Sequence, residues 1–214
     1  MVGSGLPDEA GARLAWVISA PTQTEMKRRY DLWAGAYDRD LGDVDDYLAP
    51  IATAKAAKAH LASDARILDA GAGTGLSGQA LRDAGFSDLT GLDFAEEMLA
   101  VAAGKGIYRE TIAADLSRRT SLHDDGFDAV VTVGTTSQVP SEGLREYIRV
   151  VRPGGKIIVA NWVKAWVERG YAAIQAEFER GGRIALIEKG EPFQALPTTE
   201  PEIVYEIWVF EVLG

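Results

Sequence analysis

The sequence predicts a three-layer α/β fold, with helices covering a seven-stranded, mostly parallel sheet whose last strand runs antiparallel. From residue 65 onward, short β-rich runs alternate with helical stretches, the signature of a parallel sheet wrapped by helices. The strand runs are apolar enough to be buried on both faces. The tail then departs from simple alternation: two β-leaning segments, separated by Pro197 and Pro201, follow the last long helix. A strand inserted antiparallel beside a parallel sheet produces such a tail, whereas a nicotinamide-binding domain continues with another helical crossover.

Taken in order, residues 9–20 and 25–37 read as two helices able to cover the carboxyl edge of the sheet. Residues 48–61 are alanine-rich with apolar positions at helical spacing, and so form a helix packed beside the first strand. Strands follow at 66–69, 88–93, 108–113, 127–133 and 156–161, with helices at 76–83, 95–103 and 142–151 between them. The last of these helices is expected to end at Pro153-Gly154-Gly155, where proline and glycine turn the chain. Residues 162–180 read as one helical stretch, and 183–196 and 202–212 as the two final strands. Each connection permits a right-handed crossover. No internal repeat, low-complexity tract or linker interrupts the chain, so one domain is expected, with residues 1–46 as a helical cover and 47–214 as the core.

Composition narrows the chemistry. There is no cysteine, which excludes disulfides, thiolate zinc sites and cysteine nucleophiles, and with two histidines a histidine-rich metal centre is not expected. Lysine plus arginine number 22 against 32 aspartates plus glutamates, a net charge of -10 that repels phosphate backbones and argues against nucleic acid as a partner. No apolar run reaches the ~18 residues of a membrane span, and no signal peptide is visible, so a cytoplasmic protein is expected.

The strongest local signal is Ile67-Leu68-Asp69-Ala70-Gly71-Ala72-Gly73-Thr74-Gly75, an apolar strand ending in a carboxylate, then a glycine at every second position. Glycines 71 and 73 lack the Cβ that would keep a ligand off the backbone, Gly75 eases the turn into the next helix, and Asp69 can accept hydrogen bonds from an ammonium. Asp93, at the end of the second strand, is placed to take both hydroxyls of a ribose. Asp115, after the third strand, can accept an exocyclic amine while Leu116 packs on the ring. The fourth strand leads into Val133-Gly134-Thr135 at the same edge.

These motifs, in this order, resemble the class I S-adenosylmethionine-dependent methyltransferases, and the resemblance runs from about Tyr30 to the C-terminus. A narrower similarity, carried by Tyr30-Asp31-Leu32-Trp33-Ala34-Gly35-Ala36-Tyr37-Asp38 and by the 126–134 and 138–140 segments, is to the methyltransferase-like proteins of the Williams–Beuren chromosomal region. The resemblance implies a Rossmann-like fold, S-adenosylmethionine as cofactor and S-adenosylhomocysteine as product. It implies cofactor contacts from Trp33, Tyr37, Asp69, Gly71, Gly73, Asp93, Phe94, Met98, Asp115, Leu116 and Val133, with Trp33 and Tyr37 at the methionine end.

Methyl transfer is an in-line displacement in which the protein chiefly aligns the nucleophile and excludes water, so a base is optional. If one is used, the candidates at the sheet edge are Tyr37, Thr135, Gln138 and Asn161, of which Tyr37 alone ionises and is named as the catalytic residue. His123 reads as part of a surface turn and His60 as a cation near a helix end. Residues 134–140 depart from the Asn/Asp-Pro-Pro-aromatic pattern of enzymes that methylate adenine or glutamine. Trp162, Trp166 and Tyr171 share a helix face and, with Phe193 and Trp208, are placed either to wall an aromatic pocket or to pack in the core, two readings the spacing fits equally. The expected substrate is therefore a small molecule carrying an amine, hydroxyl or thiol, taken by a monomer or homodimer, with no nucleic acid, membrane or metal involved. Protein-directed methylation and noncatalytic cofactor binding stand as alternatives, since a fold does not establish turnover. A nicotinamide dehydrogenase fits less well, because GxGxxG would need glycine where Leu76 stands.

Overall fold

The computed structural model describes residues 5–44, 46–198 and 200–214; residues 1–4 and 45 of the expected cover lie outside that range. A single 3-10 turn, Ala10–Ala12, leads into α1 (Arg13–Ile18) and α2 (Gln23–Arg39), so the expected first helix is split where Gly11 weakens it. Thr22 caps α2 by accepting the Glu25 amide at 3.1 Å. A π-helical turn, Asp40–Val44, follows, and then α3 (Ala49–His60).

The alternating core comprises β1 (Arg66–Ala70), α4 (Leu76–Asp83), β2 (Asp88–Asp93), α5 (Glu96–Gly104), β3 (Glu110–Ala113), β4 (Phe127–Val133), α6 (Gly143–Val150) and β5 (Val151–Trp162). Then come α7 (Val163–Glu168), α8 (Tyr171–Arg180), β6 (Ile184–Lys189), the two-residue β7 (Phe193–Gln194) and β8 (Val204–Val212). The sheet order is β3-β2-β1-β4-β5-β8-β6, with β7 paired to β8. The β1–β5 pairs are parallel, and β8 enters antiparallel between β5 and β6. The sheet is thus the expected seven-stranded arrangement plus one short strand.

Three of the departures from the sequence reading have a local cause. Helix α6 stops at Val150 because Val151 is already extended and pairs with Phe127; Pro153-Gly154-Gly155 then runs inside β5, where the register shifts before Lys156 meets Ala129. The 162–180 stretch breaks at Gly170, which adopts a left-handed conformation (φ 84°) between α7 and α8. The 183–196 stretch is interrupted at Gly190, whose amide instead bonds the Ile207 carbonyl at 2.8 Å.

Alternating strand residues fill two layers. Leu68, Val130, Ile157 and Val159 point to the side carrying α6, α7 and α8, and Ile67, Ala129, Val131 and Ile158 to the side carrying α3 and α4. Each such fully buried branched side chain stabilises the fold by about 1.5–3 kcal/mol. A third cluster gathers Trp16, Tyr30, Trp33 and Leu41 from the N-terminal helices with Met98, Leu196, Ile203 and Tyr205, and it sits over the carboxyl edge of the sheet. No helix among the described residues is long and apolar enough to cross a membrane.

Candidate active site

The strand order reverses between β1 and β4, so the following chain segments leave in opposite directions and open a crevice at the carboxyl ends. A cleft, partly open to solvent, occupies that place. Its floor is the loop after β1, where Gly71, Gly73 and Gly75 all have positive φ (80°, 52° and 92°). A Cβ on Gly71 would collide with the side chain of Thr135, and one on Gly73 would touch Met98 at 3.6 Å. These positions demand glycine on conformational grounds, and Gly71 on steric grounds as well.

Asp93 fastens this loop to β2. Its Oδ2 accepts the Gly73 amide and its Oδ1 the Ala95 amide, each at 2.9 Å, while the Gly71 amide bonds the Leu92 carbonyl at 2.7 Å. Burial raises the Asp93 carboxyl above its ordinary range, against the backbone bonds that favour its charge. Along the same wall stand Phe94, Met98, Ala114, Asp115 and Leu116. Asp115 is exposed and accepts the amide and hydroxyl of Ser117 at 2.9 and 2.6 Å. Asp93 and Asp115 are the only charged residues lining the cavity among the described residues.

The opposite wall is apolar and aromatic. It comprises Val133, Gly134, Thr135 and Trp162 from the β4 and β5 ends, Tyr47, and Leu196, Ile203 and Tyr205 from the C-terminal insertion. Helices α1 and α2 contribute Leu14, Ile18, Gln23, Tyr30 and Tyr37. The roof is tied down at several points. Asp38 accepts from Thr74 Oγ1 at 2.5 Å and pairs with Lys105 at 2.5 Å, and Gln23 Nε2 donates to the Gln138 carbonyl at 2.8 Å.

Of the residues named from sequence, Tyr37, Gly71, Gly73, Asp93, Phe94, Met98, Asp115, Leu116 and Val133 converge on this cavity. Trp33 and Asp69 do not. Trp33 is buried behind Tyr37, ring centroids 4.7 Å apart, with its Nε1 donating to Asp40 Oδ2 at 2.7 Å. Asp69 shares the face of Ile67, because strand side chains alternate, and so points into the α4 layer. There its Oδ2 accepts Ser77 Oγ and the Tyr108 hydroxyl, both at 2.6 Å.

Tyr37 lines the cavity, and burial, reinforced by Tyr205, Asp93 and Asp38 nearby, raises its phenol above the ordinary value, which disfavours its ionised form. Thr135 and Gln138 line the cavity, but the side chain of Asn161 is fully buried outside it and neither of its polar atoms has a partner. Of the two readings of the aromatic set, core packing holds for Trp166, Tyr171 and Trp208. Trp166 stacks on Tyr171 at 4.8 Å and meets Trp208 edge-on at 4.9 Å inside the α6–α8 core, which leaves Trp162 as the member of that set on the cavity. His123 is exposed, as a turn residue should be, and His60 meets Glu188 Oε2 at 2.7 Å. No three or more histidine, aspartate or glutamate side chains among the described residues are grouped to hold a metal.

Sequence reasoning missed Tyr30, Tyr47, Tyr205, Leu196 and Ile203, which come from segments far apart in the chain. Only the antiparallel register of β5 and β8, which sets Trp162 opposite Tyr205, could have drawn attention to the last strand.

Residues 68–159 match the methyltransferase domain family. The chain is 32% identical over 184 residues to human methyltransferase-like protein 27, covering 83% of this chain and 74% of that protein. It is 35% identical over 157 residues to the demethylmenaquinone methyltransferase of Clavibacter sepedonicus, covering 69% of this chain and 63% of that one. The fold superposes on the crystal structure of the [4+2]-cyclase SpnF with a TM-score of 0.70 over 91% of this chain and 98% of that chain, at 16% identity, a likeness of fold alone. A glycine floor, a carboxylate closing the second strand, the β3-β2-β1-β4-β5-β8-β6 order and these relatives agree: the chain belongs to the class I S-adenosylmethionine-dependent methyltransferases, with S-adenosylmethionine as cofactor and S-adenosylhomocysteine as product.

Proposed function

We propose that this enzyme methylates a small molecule, working as a cytoplasmic monomer or homodimer without nucleic acid, and that residues 1–46 act as a cover to a core of residues 47–214. The observation that carries the reading is enclosure. Helices α1 and α2 roof the cavity and Leu196, Ile203 and Tyr205 wall its far side, which suits an acceptor that enters whole rather than a protein segment lying across an open groove.

The residues present fit the cofactor. The glycine floor offers backbone without side chains, Asp93 offers a carboxylate for ribose hydroxyls, and Asp115 and Leu116 offer an acceptor and an apolar face for adenine. Phe94, Met98 and Val133 complete the contacts, with Tyr37 at the methionine end. Both charged lining groups are anions, which suits a sulfonium cofactor and disfavours the pyrophosphate of a dinucleotide. The bound cofactor supplies an electrophilic methyl group. What the chain itself contributes is alignment and exclusion of water, which an acceptor already nucleophilic in its bound form can use without a dedicated base.

A second reading, cofactor binding without methyl transfer, stands because fold and cofactor motifs do not by themselves establish turnover. Calorimetric titration with S-adenosylmethionine, with NAD as control and Asp93→Ala as a second protein, tests the site. Binding weakened at least about tenfold in the variant supports it; no binding, or preference for NAD, overturns it. Release of S-adenosylhomocysteine in an acceptor screen then separates the two readings.

A further inference from the structure

The acceptor half of the cavity is chemically distinctive. Its lining from Tyr47, Gly134, Trp162, Leu196, Ile203 and Tyr205 contains no charged side chain; the two carboxylates lie at the β2 and β3 ends, across the glycine floor. An ion buried in that half would lose its hydration with no charged partner to replace it. As an ammonium, an amine also has no lone pair to attack with.

The polar atoms in this half are concentrated at one point. A Cβ built on Gly134 would stand 2.7 Å from the Tyr47 hydroxyl and 3.2 Å from that of Tyr205, so both hydroxyls converge above the end of β4. The next residue, Thr135, packs on Gly71, which places the pair beside the glycine floor. The two hydroxyls lie close to one another, and burial pushes the Tyr205 phenol up to about 12, so its proton is present at neutral pH. The arrangement is held rigidly: the Tyr47 amide bonds the Leu41 carbonyl at 3.1 Å, and the next amide, of Leu48, bonds the Ala195 carbonyl at 3.0 Å. Around the two hydroxyls, Trp162 and the tyrosine rings present flat apolar faces.

We propose that the acceptor is an uncharged, ring-bearing molecule whose ring packs among Tyr47, Trp162 and Tyr205 and whose oxygen or nitrogen accepts a hydrogen bond from Tyr205, with Tyr47 as a positioning residue acting through Tyr205. This rests on the cofactor assignment above, and the test separates the two. The enzyme, saturated with S-adenosylhomocysteine at pH 7, is titrated with 2-naphthol, 2-naphthoate and 2-naphthylmethylammonium, three probes of similar shape and different charge. The neutral probe binds at least about tenfold more tightly than either ion. Tyr205→Phe weakens 2-naphthol about three- to tenfold, the range of one net hydrogen bond, and leaves S-adenosylhomocysteine affinity within about twofold. Tyr47→Phe weakens 2-naphthol in the native background and adds nothing in Tyr205→Phe, a non-additivity that general loosening of the wall would not produce. Tighter binding of either ion, binding of none of the three, or additive effects in the double variant overturns the proposal. Failure to bind S-adenosylhomocysteine instead overturns the cofactor assignment on which it stands.

Discussion

The Tyr108 hydroxyl donates to Asp69 Oδ2 at 2.6 Å beneath the glycine floor, on the side of β1 turned away from the cavity. The ring of Tyr108 fills a slot that exists because positions 78 and 91 are glycine. A Cβ on Gly91 would press its ring at 3.1 Å, and one on Gly78 would overlap its hydroxyl. Asp69, the carboxylate that opens the glycine motif, is thus a buried anchor for the start of α4 and for the segment before β3.

Tyr108→Phe removes one of the two side-chain donors to that buried carboxylate, whose Oδ1 already has no partner. The expected loss is about 1–3 kcal/mol in urea unfolding. A change below about 0.3 kcal/mol would show that water replaces the phenol at no cost.

Burial raises the Asp69 carboxyl to about 6, with the hydrogen bonds from Ser77 and Tyr108 only partly opposing it. Such a group binds more protons folded than unfolded between about pH 4 and 6, so its contribution to stability declines as pH rises through that window and is flat above it. Asp69→Asn removes this slope. Across the window the wild type should lose about 3 kcal/mol relative to the variant, read as the difference between their unfolding free energies. Parallel curves would mean that Asp69 does not titrate there.

Gly71 and Gly85 both have positive φ, 80° and 105°, but a Cβ on Gly85 meets open space whereas one on Gly71 meets Thr135. Gly85→Ala should therefore cost the backbone strain alone, about 1–3 kcal/mol, and keep S-adenosylmethionine binding. Gly71→Ala should cost more and abolish binding, and adding Thr135→Ser, which removes the colliding methyl, should recover part of the stability. Equal losses in the two single variants would contradict the steric account.

Asp40 joins the two N-terminal helices. Burial opposes its charge, yet bonds from Trp33, Arg13 and Arg39 overcome this and hold its carboxyl below the usual range. Arg13 pairs with it and also donates to the Pro7 and Asp8 carbonyls at 2.8 and 3.1 Å. Asp40→Ala leaves a buried guanidinium and the Trp33 indole without their partner, with an expected cost of about 3–5 kcal/mol. Faster proteolysis between α1 and α2, together with weaker cofactor binding, is the expected signature. Unchanged cleavage and binding would mean that the cover is held by its apolar contacts alone.

Much of the fold was legible because strand and helix periodicities are local. The 76–83 helix and the 88–93 and 127–133 strands stand where the sequence places them, and the motif glycines stand on the cavity floor. Val133 reaches the cavity because it ends β4, and Met98 because it sits in the first turn of α5. The aromatic residues after the fifth strand left two readings open for a physical reason: spacing along a helix shows which residues share a face, but not which layer that face meets. Trp166 and Tyr171 met the α6–α8 core.

By itself the sequence determined the layer architecture, the antiparallel insertion at the end of the sheet, and the glycine floor with its acids at the ends of the second and third strands. Alternation, backbone conformational demand and chain order are properties of neighbouring residues, and they suffice for those features. Only the tertiary structure decided that Asp69 turns away from the cavity, that Trp33 packs behind Tyr37, and that Tyr47 and Tyr205 meet over Gly134. Each of these depends on which distant segment closes over a side chain. Burial and convergence of that kind are set by the packing of the whole chain, not by any stretch of it.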